Sequence, residues 1–266
     1  MSQRFSVTIN PNTYVAELEA IIASNVAGLR NALRALEDGS FVSRASMPRP
    51  DAILHFVIQP PADQAADAVA TACNRCFLDL VRALINYIDR MVAIQRCTKE
   101  PITLQVGIQS GDGLLRFMRE HLESAYQKVA RDTQLSNPKK LEEFHGLADF
   151  PKKAALSYFT LRRCLEHHGA VPLEDFSLHV MTHTILAGDQ EITHMPFQAE
   201  AGTQIKLRTE PHSIVLARGQ RVALSEADIE KVFFTIQFFV APEIRRALGS
   251  QPAGRVASDD DGTTVS

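Results

Sequence analysis

Residues 154–171 read AALSYFTLRRCLEHHGAV. Ala154, Tyr158, Leu161 and Leu165 recur at spacings of four, three and four, one stripe of a helix. Gly169 stands where a left-handed residue closes a helix. Pro172, with no N–H to donate, cannot prolong it. The spacing therefore predicts a helix whose last two turns crowd Arg162, Arg163, Glu166, His167 and His168 together. A helix C-terminus attracts cations to its unpaired carbonyls, so part of this charge is a cap. Two histidines beside two arginines exceed what a cap requires.

Upstream of this stretch, a helix is expected to start near Lys140 and to kink around Gly146 and Pro151. Asn137-Pro138 marks a turn, and Gly111-Asp112-Gly113 opens a helix to about residue 134 with Leu115, Met118, Leu122 and Tyr126 inside. ITLQVGI, 102–108, alternates like a strand. Residues 64–98 form the longest helix candidate, with Val69, Ala72, Cys73, Cys76, Leu80, Leu84, Ile88 and Met91 in helical period. AILHFVI, 52–58, reads as a short strand or a buried turn of helix, and 38–51 as a loop. Residues 13–37 form an amphipathic helix.

Downstream, Phe176, Leu178 and Val180 alternate with polar residues, as do Ile205 and Leu207, and Gly188-Asp189 and Arg218-Gly219 are turn signals. This predicts a small β-meander over 175–224. Ser225 and Asp228 resemble a capping box that opens a last helix, 226–248. The expected class is mainly α: an antiparallel four-helix bundle, with an extra N-terminal helix and a small β-meander inserted before the last helix. The expected division is 1–62 as an N-terminal helix plus loop or strand appendage, 63–248 as the bundle with its β insertion, and 249–266 as a disordered acidic tail.

Composition narrows the function. The 28 basic and 31 acidic residues give a net charge of -3, which argues against a general nucleic-acid coat but leaves room for a local basic pocket. Four cysteines in 266 residues are no disulfide framework, so a reducing, cytoplasmic setting is expected. MSQRFSVTIN lacks the apolar core of a signal peptide, and no apolar run is long enough to span a membrane.

The segment from Leu161 to Val171 resembles the signature of the HEPN superfamily. That signature is an arginine, four to six residues, then a histidine, and Arg162 and His167 fit it with four residues between. The layout is similar too, over roughly 64–248: a motif-bearing helix, a β excursion, then a closing amphipathic helix. Arg163 stands where the family often has asparagine, so a second frame, Arg163 to His168, fits equally well.

The resemblance implies a metal-independent endoribonuclease without cofactor, acting on RNA as a homodimer with a composite site. It also implies a toxin or phage-defence role, with an antitoxin or other regulatory protein as a possible partner. The chemistry is coherent on physical grounds. RNA carries its own nucleophile, the 2′-hydroxyl. An imidazole, with an unperturbed pKa of ~6.5, moves protons near neutrality. A guanidinium offers a fixed fork of donors to a phosphate gaining charge. The expected product is a 2′,3′-cyclic phosphate. His167 is then the proton-transfer group, Arg162 the phosphate contact and Arg163 its assistant, with Glu166 orienting a histidine and His168 in support. Lys139-Lys140 and Lys152-Lys153 would extend an RNA groove towards Arg162. Five helical residues turn about 140°, so in a continuous helix Arg163 and His167, four apart, share a face and Arg162 and His167 do not; either the helix ends before His167, letting it swing back, or Arg163 is its closer partner. The leucine stripe makes His168 the better candidate for a buried structural histidine.

The alternative is a non-catalytic HEPN-like module that binds RNA or a protein, or a helical scaffold whose cluster merely caps a helix. Other motifs carry less. Cys73 and Cys76 form a C-x-x-C inside an apolar stripe, a core position rather than a zinc half-site. His179 and His183, with His194 and His212, are surface histidines or a loose metal site. Gly107, Gly111 and Gly113 have no following Lys-Ser/Thr, so they are not a phosphate loop.

Overall fold

The computed structural model describes residues 10–37, 62–99, 111–188, 190–192 and 204–249. The expected loop 38–51, the strands at 52–58 and 102–108, Gly107, His194 and the tail beyond 249 lie outside these residues. What is described is mainly helical, with one small antiparallel sheet.

Helix α2 (Ala62–Lys99) is the axis of the fold. Its apolar residues recur on more than one face, and Phe77, Leu80, Leu84, Ile88 and Met91 are all fully buried. Helix α1 (Asn12–Glu37) lays the stripe Leu18, Ile22, Val26, Leu29 and Leu33 into the same core. So the N-terminal helix shares the core with α2, and the Cys76 thiol donates to the Asn25 carbonyl across that contact at 3.6 Å. Helix α3 (Gly111–Arg131) packs on another side of α2.

The expected kinked helix is two helices, α4 (Asn137–Glu142) and α5 (Asp149–His167). The break is physical: Gly146 adopts φ +74 in the intervening turn, a conformation that costs other residues dearly. Pro151 does not kink α5, because it falls in the first turn, where its missing N–H would have no partner. Tyr158 of α5 is fully buried and meets Phe77 edge-on, with centroids 6.1 Å apart.

Strands β1 (Phe176–Ala187) and β3 (Ile205–Leu216) pair antiparallel over their full length, from Phe176 opposite Leu216 to Ala187 opposite Ile205. The two-residue β2 (Gln190–Glu191) folds back onto the other side of β1, giving the order β2-β1-β3. This corrects the meander expectation, which would have put β2 between the long strands. Beyond the reach of β2, the outer edge of β1 is closed by helices. The His179 N–H donates to Ser157 Oγ at 3.1 Å, and the Met181 N–H to Thr235 Oγ1 at 2.7 Å. The outer strand β3 carries exposed Lys206, Arg208 and Pro211, which discourage pairing with a further strand.

The last helix starts at the predicted capping box, where Ser225 and Asp228 bond reciprocally. It is not uniform: α6 (Glu226–Thr235) passes through a π turn, Ile236–Val240, into α7 (Ala241–Gly249). Within the π turn the Ala241 N–H reaches back to the Ile236 carbonyl. Pro242 follows with no N–H for the Phe238 carbonyl, and a widened turn absorbs that loss. Among the described residues no helix is long and apolar enough to cross a membrane.

Candidate functional site

The α5 C-terminus fixes the site. The helix stays regular through His167. The His168 and Ala170 N–H groups both donate to the Cys164 carbonyl, at 3.0 and 3.3 Å, as the chain turns through Gly169 at φ +60 and Ala170 at φ +64. The left-handed Gly169 was expected; the left-handed alanine after it was not. Its carbonyl is held by the Val222 N–H at 2.8 Å.

Because the helix does not end early, Arg163 and His167 share one outer face, and Arg162 lies about 100° round from Arg163. Arg162 turns towards α2. Its Nε is 3.0 Å from Glu166 Oε2, and Arg82 of α2 donates from Nη2 to Glu166 Oε1 at 3.0 Å. Arg82 also donates to Asp79 Oδ1 at 3.0 Å, and Arg75 Nε lies 3.5 Å from Asp79 Oδ2. Burial pushes the Glu166 carboxyl up, but the two guanidiniums outweigh it and hold the group below the usual carboxylate range. Glu166 therefore serves two arginines rather than orienting a histidine, because α2 presents Arg82 on that side.

Arg163 and His167 are exposed, and neither has an ion pair or hydrogen bond from its side chain to any described residue. They border a cleft of about 700 Å³ between α5 and the α3–α4 connection. Arg162, Glu166, Leu156 and Phe159 line it from α5; Leu135, Asn137, Pro138 and Lys140 face them. Lys140 is buried, with Nζ 2.6 Å from Asp89 Oδ1 and both side chains 5% exposed. Lys140 is thus spent on Asp89 rather than offered to RNA as its sequence pairing with Lys139 suggests, and the sequence singles out neither Asp89 nor Arg82. Neither had a signal, since partners so far apart along the chain meet only through packing.

The remaining expected residues fall elsewhere. His168 is half-buried at the helix cap rather than deep in the core. Neither Lys152 nor Lys153 lines the cleft. They sit near the start of α5, where Lys153 stands beside His179; burial, then that ammonium, lowers the imidazole below its usual range. Lys153 thus faces the hairpin, because α5 meets the cleft and β1 on different sides.

Cys73 and Cys76 are free and buried, and burial first, then the neighbouring thiol, pushes Cys76 up to about 12. Both belong to the apolar core shared with α1, as their place in the stripe leads one to expect. His179 bonds Ser213 Oγ at 3.0 Å, and the His183 ring lies 4.3 Å from that of Phe234. Among the described residues no cluster of His, Cys, Asp and Glu is placed to hold a metal.

Comparison of the chain with family models, with curated proteins and with solved structures finds no match.

Proposed function

We propose that the chain is a metal-independent endoribonuclease of HEPN type, working as a homodimer in the cytoplasm. In this reading α2, α3, α5 and the α6–α7 helix are the four members of an antiparallel bundle, with α1 added and the β1–β3 hairpin inserted before the last member. The observation that carries it is the pair Arg163 and His167, exposed, unpaired and one helical turn apart at the edge of a cleft of about 700 Å³.

Arg163, rather than Arg162, is the phosphate contact, since Arg162 is engaged by Glu166. His167 takes the proton from the 2′-hydroxyl as its oxygen attacks phosphorus. The bond from phosphorus to the 5′-oxygen breaks, and that oxygen is protonated by the imidazole of the second protomer. Fixed guanidinium charge stabilises the crowded phosphate between these steps. Arg162, Arg82 and Glu166 form the rigid layer beneath.

The test is end-group analysis of single-stranded RNA incubated with purified protein in chelator. Wild type should leave 2′,3′-cyclic phosphate ends and His167→Ala should not; equal degradation by both, or by neither, overturns the reading. A toxin or phage-defence role predicts that overexpression slows growth and that His167→Ala relieves it. An antitoxin or regulatory partner would then cover the cleft.

The second reading is a non-catalytic RNA-binding or protein-interaction module. What favours it is that Glu166 neutralises Arg162, leaving Arg163 as the cleft guanidinium without an acidic partner. RNA affinity that falls in Arg163→Ala, with no cleavage by wild type, would select it.

A further inference from the structure

We infer that the cleft is a pocket for one unpaired nucleotide, with the base at its apolar end and the phosphate at its cationic end. This rests on reading Arg163 and His167 as the phosphate site, and adds what is read beside the phosphate.

Along α5 the lining starts with Leu156 and Phe159 and ends with Arg163 and His167, beside Arg162 and the Glu166 that pairs with it. At ~1.5 Å of rise per residue, Phe159 is about 6 Å along the axis from Arg163 and about 12 Å from His167, the reach of one nucleotide from base to phosphate. The α3–α4 connection adds Leu135 and Pro138 to the apolar part of the lining. Asn137 is on the same wall, with an amide that can both donate to and accept from a base edge. A volume of about 700 Å³ falls within the range of about 300–1,000 Å³ typical of small-ligand sites. That is room for one nucleotide. A base must therefore leave its stack to enter, so the ligand class is single-stranded or looped RNA.

The test is calorimetric titration of the full chain with uridine 3′-monophosphate and adenosine 3′-monophosphate, against ribose 5-phosphate. At least one nucleotide should bind about tenfold or more tighter than the sugar phosphate, since enclosing a base contributes at least that much. Phe159→Leu and Leu156→Ala should loosen the nucleotides and leave ribose 5-phosphate unchanged, whereas Arg163→Ala should loosen both. Because Phe159 is a core residue, an RNA oligonucleotide with one abasic position serves as a control on the unaltered protein: it should be bound at least fivefold more weakly at that position. Affinities for nucleotide and sugar phosphate within twofold of each other, or no binding of either, overturn the pocket. Base-dependent binding without cleavage of RNA overturns the nuclease and keeps the pocket. Cleavage that ignores the abasic position overturns the pocket and keeps the nuclease.

Discussion

The Glu166 carboxylate bridges two helices: Arg82 of α2 donates to its Oε1 and Arg162 of α5 lies at its Oε2, each at 3.0 Å. One acid between two bases fixes Arg162 against α2, and Arg163, the next residue, is left to face outward. The division of labour between adjacent arginines thus follows from a residue on a different helix.

Glu166→Gln should cost about 1 kcal/mol at neutral pH, the scale of a half-exposed ion pair with charge-assisted hydrogen bonds. The carboxyl is held low in the folded protein, so its contribution is full above the unfolded value of ~4.3 and is lost as pH falls through the folded value. Melting curves should show the gap between wild type and Glu166→Gln narrowing as pH drops below about 4. A gap that stays constant to pH 2 would rule out the ion pairs as its source.

Thr235→Val should destabilise by about 1–3 kcal/mol, because a near-isosteric change strips the acceptor from the buried Met181 N–H. Thr235 is fully buried and its hydroxyl also donates to the Lys231 carbonyl at 2.7 Å. Ser157→Ala acts on the neighbouring His179 N–H and should cost less, since that bond is only partly buried. Urea midpoints give both values, and hydrogen exchange at Met181 should rise specifically in Thr235→Val.

These hydroxyls mark where sequence reading stops. The stripe Ala154, Tyr158, Leu161, the Ser225–Asp228 cap and the alternation of Phe176, Leu178 and Val180 are local patterns, and each forms the element it predicts. Ser157 and Thr235 look like ordinary helical polar residues; that they close the edge of a strand depends on how β1 docks. Pro242 is a local signal that the last helix cannot stay regular, though not of the form its irregularity takes. At the site, the sequence placed Arg163 and His167 on one face correctly. It could not tell that Arg82 would share Glu166 with Arg162, because that contact joins residues 84 apart in sequence.

Ala170→Gly should stabilise the protein. Ala170 sits at φ +64, where an L-residue pays about 1–2 kcal/mol. Glycine relieves that but frees the unfolded chain by about 0.4–1 kcal/mol, for a net gain of about 0.5–1 kcal/mol. Denaturant midpoints decide it, and an unchanged or lowered midpoint would mean that the methyl packs too well to lose.

Lys140 and Asp89 should behave as a coupled pair. Removing either partner alone, as in Lys140→Met or Asp89→Leu, strands a charge that is 5% exposed and should cost about 3–5 kcal/mol. The double variant should cost much less than the sum, since two apolar residues can pack where the ions met. A double-mutant cycle by chemical denaturation measures the coupling; additive losses would show the charges acting independently.

The two arginines should separate in kinetics and stability. Arg163 is exposed and unpaired, so Arg163→Ala should leave the melting temperature within error while cutting RNA cleavage about 10²–10³-fold, the scale of one lost transition-state donor. His167→Ala, equally exposed, should lose about 10²–10⁴-fold for want of proton transfer, again without melting early. Arg162→Ala should do the reverse in kind: it leaves Glu166 with Arg82 alone, lowers the melting temperature, and reduces cleavage only as far as the helix end loosens. Arg162→Lys should recover stability, because the ammonium can still reach Glu166, whereas Arg163→Lys should recover little activity if the planar fork is what holds the phosphate. If Arg162→Ala abolishes cleavage in a protein that melts normally, the roles are exchanged and Arg162 must swing away from Glu166 to meet the RNA.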